Sequence, residues 1–465
     1  MMQSQIIQFP NQMSSPSWNK EKIHGPYRKT YHIGSIQMEI GHIRDKIGYL
    51  LALMGSLVST AASDEHSDLL CCVKEYFKNF SQKSAIISQE TSNSVQLCLA
   101  KGDIQGACSI IRNALKDIDK LPLSIAVTGE TGSGKSSLVN SLRGVGHEEE
   151  DAAPTGAEET TMERRPYKHP RFPSVTIWDL PGIGTVTFQP KDYLKNVKFA
   201  EYDFFIIVCA TRFKKSDIDL AKAIKAMKKN FYFVRTKVDI DLQNEQTAKP
   251  NSFDREEVWK KIRDTAQQEF RRHNIDAKIF LISSLKLSEF DFPILMDTLL
   301  EGLNAQKHYI FTLFLPNITE AAIDKKRDSL KQIVWLEAMK AGLLATLPVV
   351  SIIQDQDVKK LKKSLHQYQL QLGVDDLSLQ SLAKDLKVPV KELQKILISP
   401  HLFDTEENQT IEEKLRRYLE VFISAIGGPP AMWLHFEKVY LLQEYFLDIV
   451  AADAKALLKM SYLKN

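Results

Sequence analysis

Cysteine is scarce and unpatterned in this 465-residue chain: Cys71, Cys72, Cys98, Cys108 and Cys209 make an odd set of five without C-x-x-C spacing. That excludes a disulfide framework and a thiolate zinc site, and it points to reduced thiols in the cytosol, most of them buried as small apolar groups. The eleven histidines show no metal-ligand spacing, so a histidine zinc site has no support. Charge of one sign is also missing. The 61 basic and 58 acidic side chains leave a formal net charge of +3 and are interspersed along the chain. No nucleic-acid-scale basic surface follows, and no nucleic-acid partner is expected. There is no internal repeat, no low-complexity tract, and no apolar run of full bilayer-spanning length.

With 43% hydrophobic residues, a chain of this length can build two domains, each with its own core. From Pro122 to about Asn304, apolar strand-like runs alternate with amphipathic helical stretches, the pattern of a doubly wound parallel sheet. After Gln306 the strand pattern fades. Helical periodicity dominates from Thr319 to Lys464, punctuated by Pro348, Pro389, Pro400 and a Gly427-Gly428-Pro429-Pro430 turn, and Ser67 to Asp119 is likewise helical.

The strongest motif is Gly129-Glu130-Thr131-Gly132-Ser133-Gly134-Lys135-Ser136, followed by Ser137. It stands between the β-favouring run Leu123 to Val127 and a helix expected over Ser136 to Arg143, which Gly144 stops. Glycines let consecutive N–H groups face a phosphate, and the helix adds its positive dipole end. Lys135 is suited to neutralise β and γ phosphate oxygens, and the Ser136 hydroxyl to take one site on Mg²⁺.

Two further motifs follow in order. The strand expected over Ser174 to Trp178 delivers Asp179-Leu180-Pro181-Gly182, whose carboxylate can hold the metal through water while the Gly182 amide senses the γ-phosphate. The run Phe231 to Arg235 delivers Thr236-Lys237-Val238-Asp239. Two carboxylate oxygens of Asp239 match the adjacent N1–H and N2–H₂ donors of guanine, which adenine lacks, and the Lys237 stem can cover the ring. The base is therefore guanine, and the ligands expected are GTP and GDP with Mg²⁺. Ile183 stands where small regulatory GTPases carry a water-orienting glutamine, so slow hydrolysis by the monomer is expected, with help from another residue or molecule. Thr155, Thr160 and Thr161, in the loop before the Asp179 strand, are candidates for a switch that reaches metal or γ-phosphate; spacing alone does not choose among them.

These segments, together with Trp178 to Gly184, Tyr202 to Ile207, Ala210 to Phe213 and Phe231 to Lys237, resemble the interferon-inducible immunity-related GTPases. The similarity runs from about Leu69 to the C terminus. With Lys135 in the loop, the chain is similar to the effector subclass, of the T-cell-specific GTPase type. The resemblance implies an α/β fold: a Ras-like doubly wound P-loop GTPase domain, with an all-α helical domain formed by segments on both sides of it. The expected divisions are an extension at 1–65, a helical segment at 66–120, the GTPase domain at 121–305 and a C-terminal helical domain at 306–465. It also implies a GTP-state homo-oligomer, related family GTPases as partners, and loading from the cytoplasm onto intracellular membranes: ER, Golgi or the vacuoles that enclose pathogens. Carried over by residue, it places Thr161 in the switch role, as catalytic residue and metal ligand, with Thr155 second. It sets Glu130 and Glu159 across a head-to-head interface, where they orient water or hold the partner's ribose. Ser283-Ser284, after the strand Lys278 to Ile282, match the family's fifth motif; Ser284 replaces the usual asparagine, which leaves a backbone contact to the base.

Two stretches bear on membranes. Leu343 to Ile353 is apolar but short and holds Pro348, so it cannot span. The helix after it sets Val358, Leu361, Leu365 and Tyr368 opposite Lys359, Lys360, Lys362 and Lys363. That suits either an interfacial helix on acidic headgroups or a core helix with a solvated basic face; the resemblance favours the membrane. Ile47 to Ala62 is apolar, follows Arg44 and Lys46, and is expected to be a packed or poorly ordered helix and not an insertion. Met1-Met2 is not the Met-Gly of an N-myristoylation signal. Rival readings are a dynamin-like membrane-remodelling GTPase without an immune role and a GTP-binding scaffold without turnover, the latter kept open by Ile183.

Overall fold

Runs rich in β-branched and aromatic residues form the parallel strands, a polar Arg165-Pro166-Tyr167-Lys168 run adds an antiparallel edge, and the amphipathic stretches between them form helices. The computed structural model describes residues 86–156, 163–183, 190–275, 277–344, 355–405, 410–411, 413–415 and 431–464. All lie within one compact unit, Ala62–Asn465. In chain order the elements are α1 (Gln89–Ala100), α2 (Ile104–Lys120), β1 (Leu123–Gly129), α3 (Lys135–Arg143), β2 (Arg165–Lys168), β3 (Val175–Asp179), α4 (Pro190–Asn196), β4 (Phe204–Cys209), α5 (Lys215–Ala226) and β5 (Asn230–Arg235). There follow α6 (Val238–Ala248), α7 (Arg255–Arg272), β6 (Ile279–Leu281), α8 (Phe292–Glu301), α9 (Ala305–Phe314), α10 (Glu320–Leu344), α11 (Asp355–Leu372), α12 (Asp376–Leu386), α13 (Val390–Gln394) and α14 (Ala431–Lys464).

The sheet runs β2-β3-β1-β4-β5-β6, parallel throughout except for the antiparallel β2–β3 pair. Its order reverses at β1, whose neighbours are β3 and β4, and such a switch point is where an open α/β sheet binds its ligand. Period-two alternation then sorts the side chains. Ile125, Val127, Phe204, Ile206 and Val208 face one core, which they share with Ile111, Leu299 and Phe311 of α2, α8 and α9. Ala126, Phe205, Ile207 and Cys209 face the other, under Ala221 and Ile224 of α5 and Phe270 of α7. Parallel strands covered on both faces read as continuous apolar runs, as β4 does.

The first core continues without a break into the helical part, through Trp335 and Leu336 of α10 and Phe446 and Val450 of α14. Helix α10 packs along α14 and against α2, and Cys108 Sγ lies 3.7 Å from Lys340 O. Helices from both sides of the sheet segment therefore meet in one structure. Of the cysteines among the described residues, Cys108 and Cys209 are buried, Cys98 is half-buried, and all three are free thiols.

One expectation is corrected here. Val358, Leu361, Leu365 and Tyr368 of α11 are 5–6% exposed, and Tyr368 OH donates to Gln443 Oε1 of α14 at 2.8 Å. The apolar side of that helix is core, so it is not an interfacial helix that lays its apolar face into lipid. Most of Leu343 to Ile353 lies outside the described residues, as do Ile47 to Ala62 and the Gly427–Pro430 turn. Among the described residues no helix is long and apolar enough to cross a membrane.

Candidate nucleotide-binding site

The loop Gly129 to Ser136 turns from β1 into α3. Val127 is in register with Asp179 and Gly129 with Val208, so the loop and the Asp179 carboxylate leave the same edge of the sheet. Gly129 has φ +142°, and a Cβ there would stand 2.0 Å from Val208 O; only glycine lets the loop start this close to β4. Gly134, at φ +88°, caps α3 with no side-chain hydrogen bond, which leaves the first N–H groups of the helix for an anion. The helix begins at Lys135, one residue earlier than its sequence pattern predicts.

Lys135 is 7% exposed, and its Nζ donates to Gly129 O at 3.2 Å and Glu130 O at 2.9 Å. The ammonium is thus held inside the loop. Ser136 Oγ donates to Asp179 Oδ2 at 2.7 Å, which brings the hydroxyl and carboxylate of two separate motifs together. Oxygen donors of this kind suit a small, hard, well-hydrated cation. Among the described residues no three His, Cys, Asp or Glu side chains cluster as an all-protein metal cage.

The guanine motif is stitched to the phosphate loop. Thr236 Oγ1 donates to Ser133 O at 2.6 Å and lies 3.3 Å from Cys209 O. Lys237 takes φ +60° at the start of α6, and its Nζ reaches back to Gly132 O at 3.0 Å. Asp239 stands half-buried in the first turn of α6. Ser283 is buried, and its Oγ accepts the Leu285 N–H at 3.2 Å. Ser284 O accepts from Ser141 Oγ at 2.7 Å, whereas Ser284 Oγ is buried without a hydrogen-bond partner. The Ser141–Ser284 bond ties the fifth motif to α3, and Ser141 Oγ also lies 2.8 Å from Ser137 O of the same helix. Thr131 and Gly132 are exposed at the mouth of the loop.

Gly182 is half-buried and Ile183 fully buried in the core under the Asp179 turn, with the Ile183 N–H donating to Gly129 O at 3.3 Å. Thr160, Thr161 and Glu159 lie outside the described residues, and Thr155 is exposed. The approach to that segment is anchored: Asn140 of α3 exchanges hydrogen bonds with Ala153 O and N at 2.9 and 2.7 Å. Arg143 binds Asp151 Oδ2 at 2.6 Å and Lys168 O at 2.9 Å.

Three participants carry no motif. Tyr193 OH lies 2.7 Å from Thr128 Oγ1 and donates to Pro181 O at 3.0 Å; burial pushes its phenol up. It braces the end of β1 against the Asp179 turn. Lys214 Nζ pairs with Glu130 Oε2 at 2.7 Å. Asp217, fully buried at the start of α5, accepts the Lys214 N–H at 2.9 Å. Burial raises its carboxyl to about 7, with the Lys214 N–H opposing and the Glu130 charge adding to the shift. The signal available for Asp217 is its capping-box position, three residues after Lys214; for Tyr193 there is none.

A phosphate loop after β1, an aspartate–glycine turn after β3 and a Thr-Lys-x-Asp turn after β5, all on one edge of this sheet, define a P-loop guanine-nucleotide-binding protein of the Ras-like class. The family model described as Interferon-inducible GTPase (IIGP) matches residues 88–461. The chain belongs to the interferon-inducible GTPase family. It is 50% identical to mouse (Mus musculus) Interferon-gamma-inducible GTPase 10 over 407 residues, 87% of this chain and 97% of that one. It is 49% identical to mouse Interferon-inducible GTPase 1 over 413 residues, 89% of this chain and 100% of that one. To mouse T-cell-specific guanine nucleotide triphosphate-binding protein 2 it is 50% identical over 390 residues, 83% of this chain and 94% of that one.

Proposed function

We propose that this protein binds GTP with Mg²⁺, hydrolyses it to GDP and phosphate, and self-assembles in the GTP state on membranes of pathogen-containing vacuoles as an effector of cell-autonomous immunity. The observation that carries the nucleotide part is the bond from Thr236 to Ser133, which joins base-reading and phosphate-binding loops around one pocket edge. Lys135 leaves the Gly129 and Glu130 carbonyls for the β and γ phosphates, and the Gly182 amide meets the γ-phosphate. Asp239 reads the guanine edge, Lys237 covers its face, and the Ser284 backbone closes the base side. Ser136 and Asp179 would hold Mg²⁺, with Thr161 joining in the GTP state, and the ion supplies charge neutralisation between the phosphates.

Ile183 supports a reading in which water is positioned from outside the monomer, because a buried aliphatic side chain cannot orient it. Glu130 and Glu159 supply that group, or a hold on the ribose, across a head-to-head interface; the Glu130–Lys214 pair opens for Glu130 to reach a second molecule. The division into an N-terminal extension, a helical segment, a GTPase domain at 121–305 and a C-terminal helical domain is part of the same reading. So are the related family GTPases as partners and peripheral placement on ER, Golgi or vacuole membranes.

The test is GTP turnover per molecule across a wide range of protein concentration, with GDP- and GTP-loaded samples sized by light scattering and Lys135→Ala as the control. Turnover that rises with concentration, oligomers with GTP only, and loss of both in Lys135→Ala are expected. Flat, near-zero turnover from a monomer would favour the scaffold reading that Ile183 keeps open. A Lys135→Ala protein that still assembles only with GTP would overturn the site.

A further inference from the structure

Pro181 and Gly182 share one peptide in the Asp179 turn. The proline ring fixes its own φ, but the ψ of Pro181 and the φ of Gly182, on either side of that peptide, can turn at low cost. The plane is therefore free to rotate unless something holds it, and its carbonyl is held. Tyr193 OH, on α4, donates to Pro181 O at 3.0 Å and lies 2.7 Å from Thr128 Oγ1. A phenol has one proton and a carbonyl can only accept. The Thr128 hydroxyl therefore donates to Tyr193, and the three groups form a directed chain from Thr128 through Tyr193 to Pro181. Thr128 is fully buried and immediately precedes the phosphate loop. Burial pushes the Tyr193 phenol up, so it keeps the proton that the chain needs.

The chain also sets where the far side of the peptide faces. The peptide is trans, so the Gly182 N–H points opposite to the Pro181 carbonyl. Along β1, Ala126 belongs to the second core and Val127 to the first; alternation puts Thr128 on the second-core side, and Tyr193 packs on that same core. The Pro181 carbonyl is drawn to that side. Helix α3 covers the opposite face, with Leu138 and Leu142 in the first core. The Gly182 N–H is thus turned toward the face from which α3 and its phosphate loop rise, and the Ile183 N–H, 3.3 Å from Gly129 O, keeps the turn beside that loop.

We propose that Thr128 and Tyr193 are a positioning pair that holds the Pro181–Gly182 peptide with its N–H toward the γ-phosphate and thereby sets the preference for GTP over GDP. The proposal rests on the Gly182 contact of the proposed function and names what aims it. Both residues act through the peptide. Without the Tyr193 hydroxyl the carbonyl loses its donor, and without Thr128 the phenol loses the partner that orients its proton onto Pro181; hydrogen bonds linked in this way strengthen one another. GDP has no γ-phosphate for that amide to meet, so the pair bears on the triphosphate more than on the diphosphate.

The experiment titrates the full chain with GDP and with GppNHp, the non-hydrolysable imido analogue of GTP, in the presence of Mg²⁺. It compares the parent with Tyr193→Phe, Thr128→Val, the double variant and Thr128→Ser. Expected is a loss of roughly three- to tenfold in the preference for GppNHp over GDP in Tyr193→Phe, and a loss in the same direction in Thr128→Val. The double variant should lose no more than Tyr193→Phe alone, because the two hydroxyls work as one chain. Thr128→Ser, which keeps the hydroxyl, should retain the parent's preference. GDP binding by each variant reports that it is folded. A preference unchanged or increased in Tyr193→Phe overturns the peptide role and leaves the nucleotide site standing, and so do losses that add in the double variant. A parent that binds neither nucleotide overturns the site reading as well.

Discussion

At the scale of single residues, the site depends on hydrogen bonds that no motif describes. Thr236 is in the guanine motif, yet its hydroxyl serves the phosphate loop. Thr236→Val should cost about 1–2 kcal/mol in denaturant unfolding, since it leaves the buried Ser133 carbonyl without its donor, and should weaken GDP as well as GTP binding in a titration with a fluorescent nucleotide. Asp217 makes a pH prediction. Its carboxyl is raised to about 7 in the folded chain, so the native state holds that proton more tightly than the unfolded one. Its contribution to stability is therefore greatest in acid and is lost as pH rises from about 4 to 7. Asp217→Asn keeps an acceptor for the Lys214 N–H and removes the charge. Relative to the parent it should gain stability across that window, by up to about 1.4 kcal/mol per pH unit, and then level off, as urea unfolding at stepped pH would show. Roles of this kind were not legible from the chain. The phosphate loop, the Asp179 turn and the Thr-Lys-x-Asp run were, because each is built from local backbone and adjacent side chains. Tyr193 acts through neighbours that only the tertiary fold supplies, whereas the hydrogen bond of Asp217 to Lys214 is local and only its burial and the nearby Glu130 charge come from the fold.

At the scale of elements, the β2–β3 hairpin ties the Asp179 edge to the helical part. Arg165 is in register with Asp179, and at the far end His169 packs on Phe314 of α9 with ring centroids 5.1 Å apart. His169 Nδ1 accepts the Arg171 and Phe172 N–H groups at 3.1 and 3.3 Å. Burial, reinforced by Arg171, Lys326 and Arg143, holds its pKa down to about 2. The imidazole is neutral when folded and titrates normally when unfolded, so its contribution to stability is present above about pH 6.5 and lost as pH falls. Between pH 6.5 and 5 the parent should lose about 2 kcal/mol from this group. His169→Asn, which can accept the same two N–H groups, should lose far less in the same scan. Asp217 slopes the opposite way, and each variant isolates one slope. The parallel strands were readable as β-favouring runs and, at β3, from alternation; the polar antiparallel edge strand β2 and the setting of α11 were not. A 3.6-residue apolar stripe opposite lysines describes a core helix and an interfacial helix equally well, and only the arrival of α14, with Gln443 against Tyr368, decides between them.

At the scale of the molecule, the sheet and the helical part share one core, and the longest helix is the last. Lys331 of α10 binds Glu444 and Asp448 of α14 at 2.9 and 3.0 Å, where all three side chains are less than 20% exposed. Lys331→Met should cost about 3 kcal/mol, because it leaves the largely buried Glu444 without its cation and Asp448 with only Arg327, 3.7 Å away; a single, lower-temperature calorimetric transition is expected, since the shared core has no boundary at which half could melt alone. The same interleaving has a consequence for synthesis. Cys108 of α2 meets the Lys340 carbonyl 232 positions later in the chain, and α14 emerges later still. At ribosomal rates of about 5–20 residues per second, α2 waits roughly 10–50 s for α10. Through that interval its apolar side has no partner from the C-terminal helices, and apolar surface exposed in this way makes a newborn chain prone to aggregate until α10 and α14 have emerged.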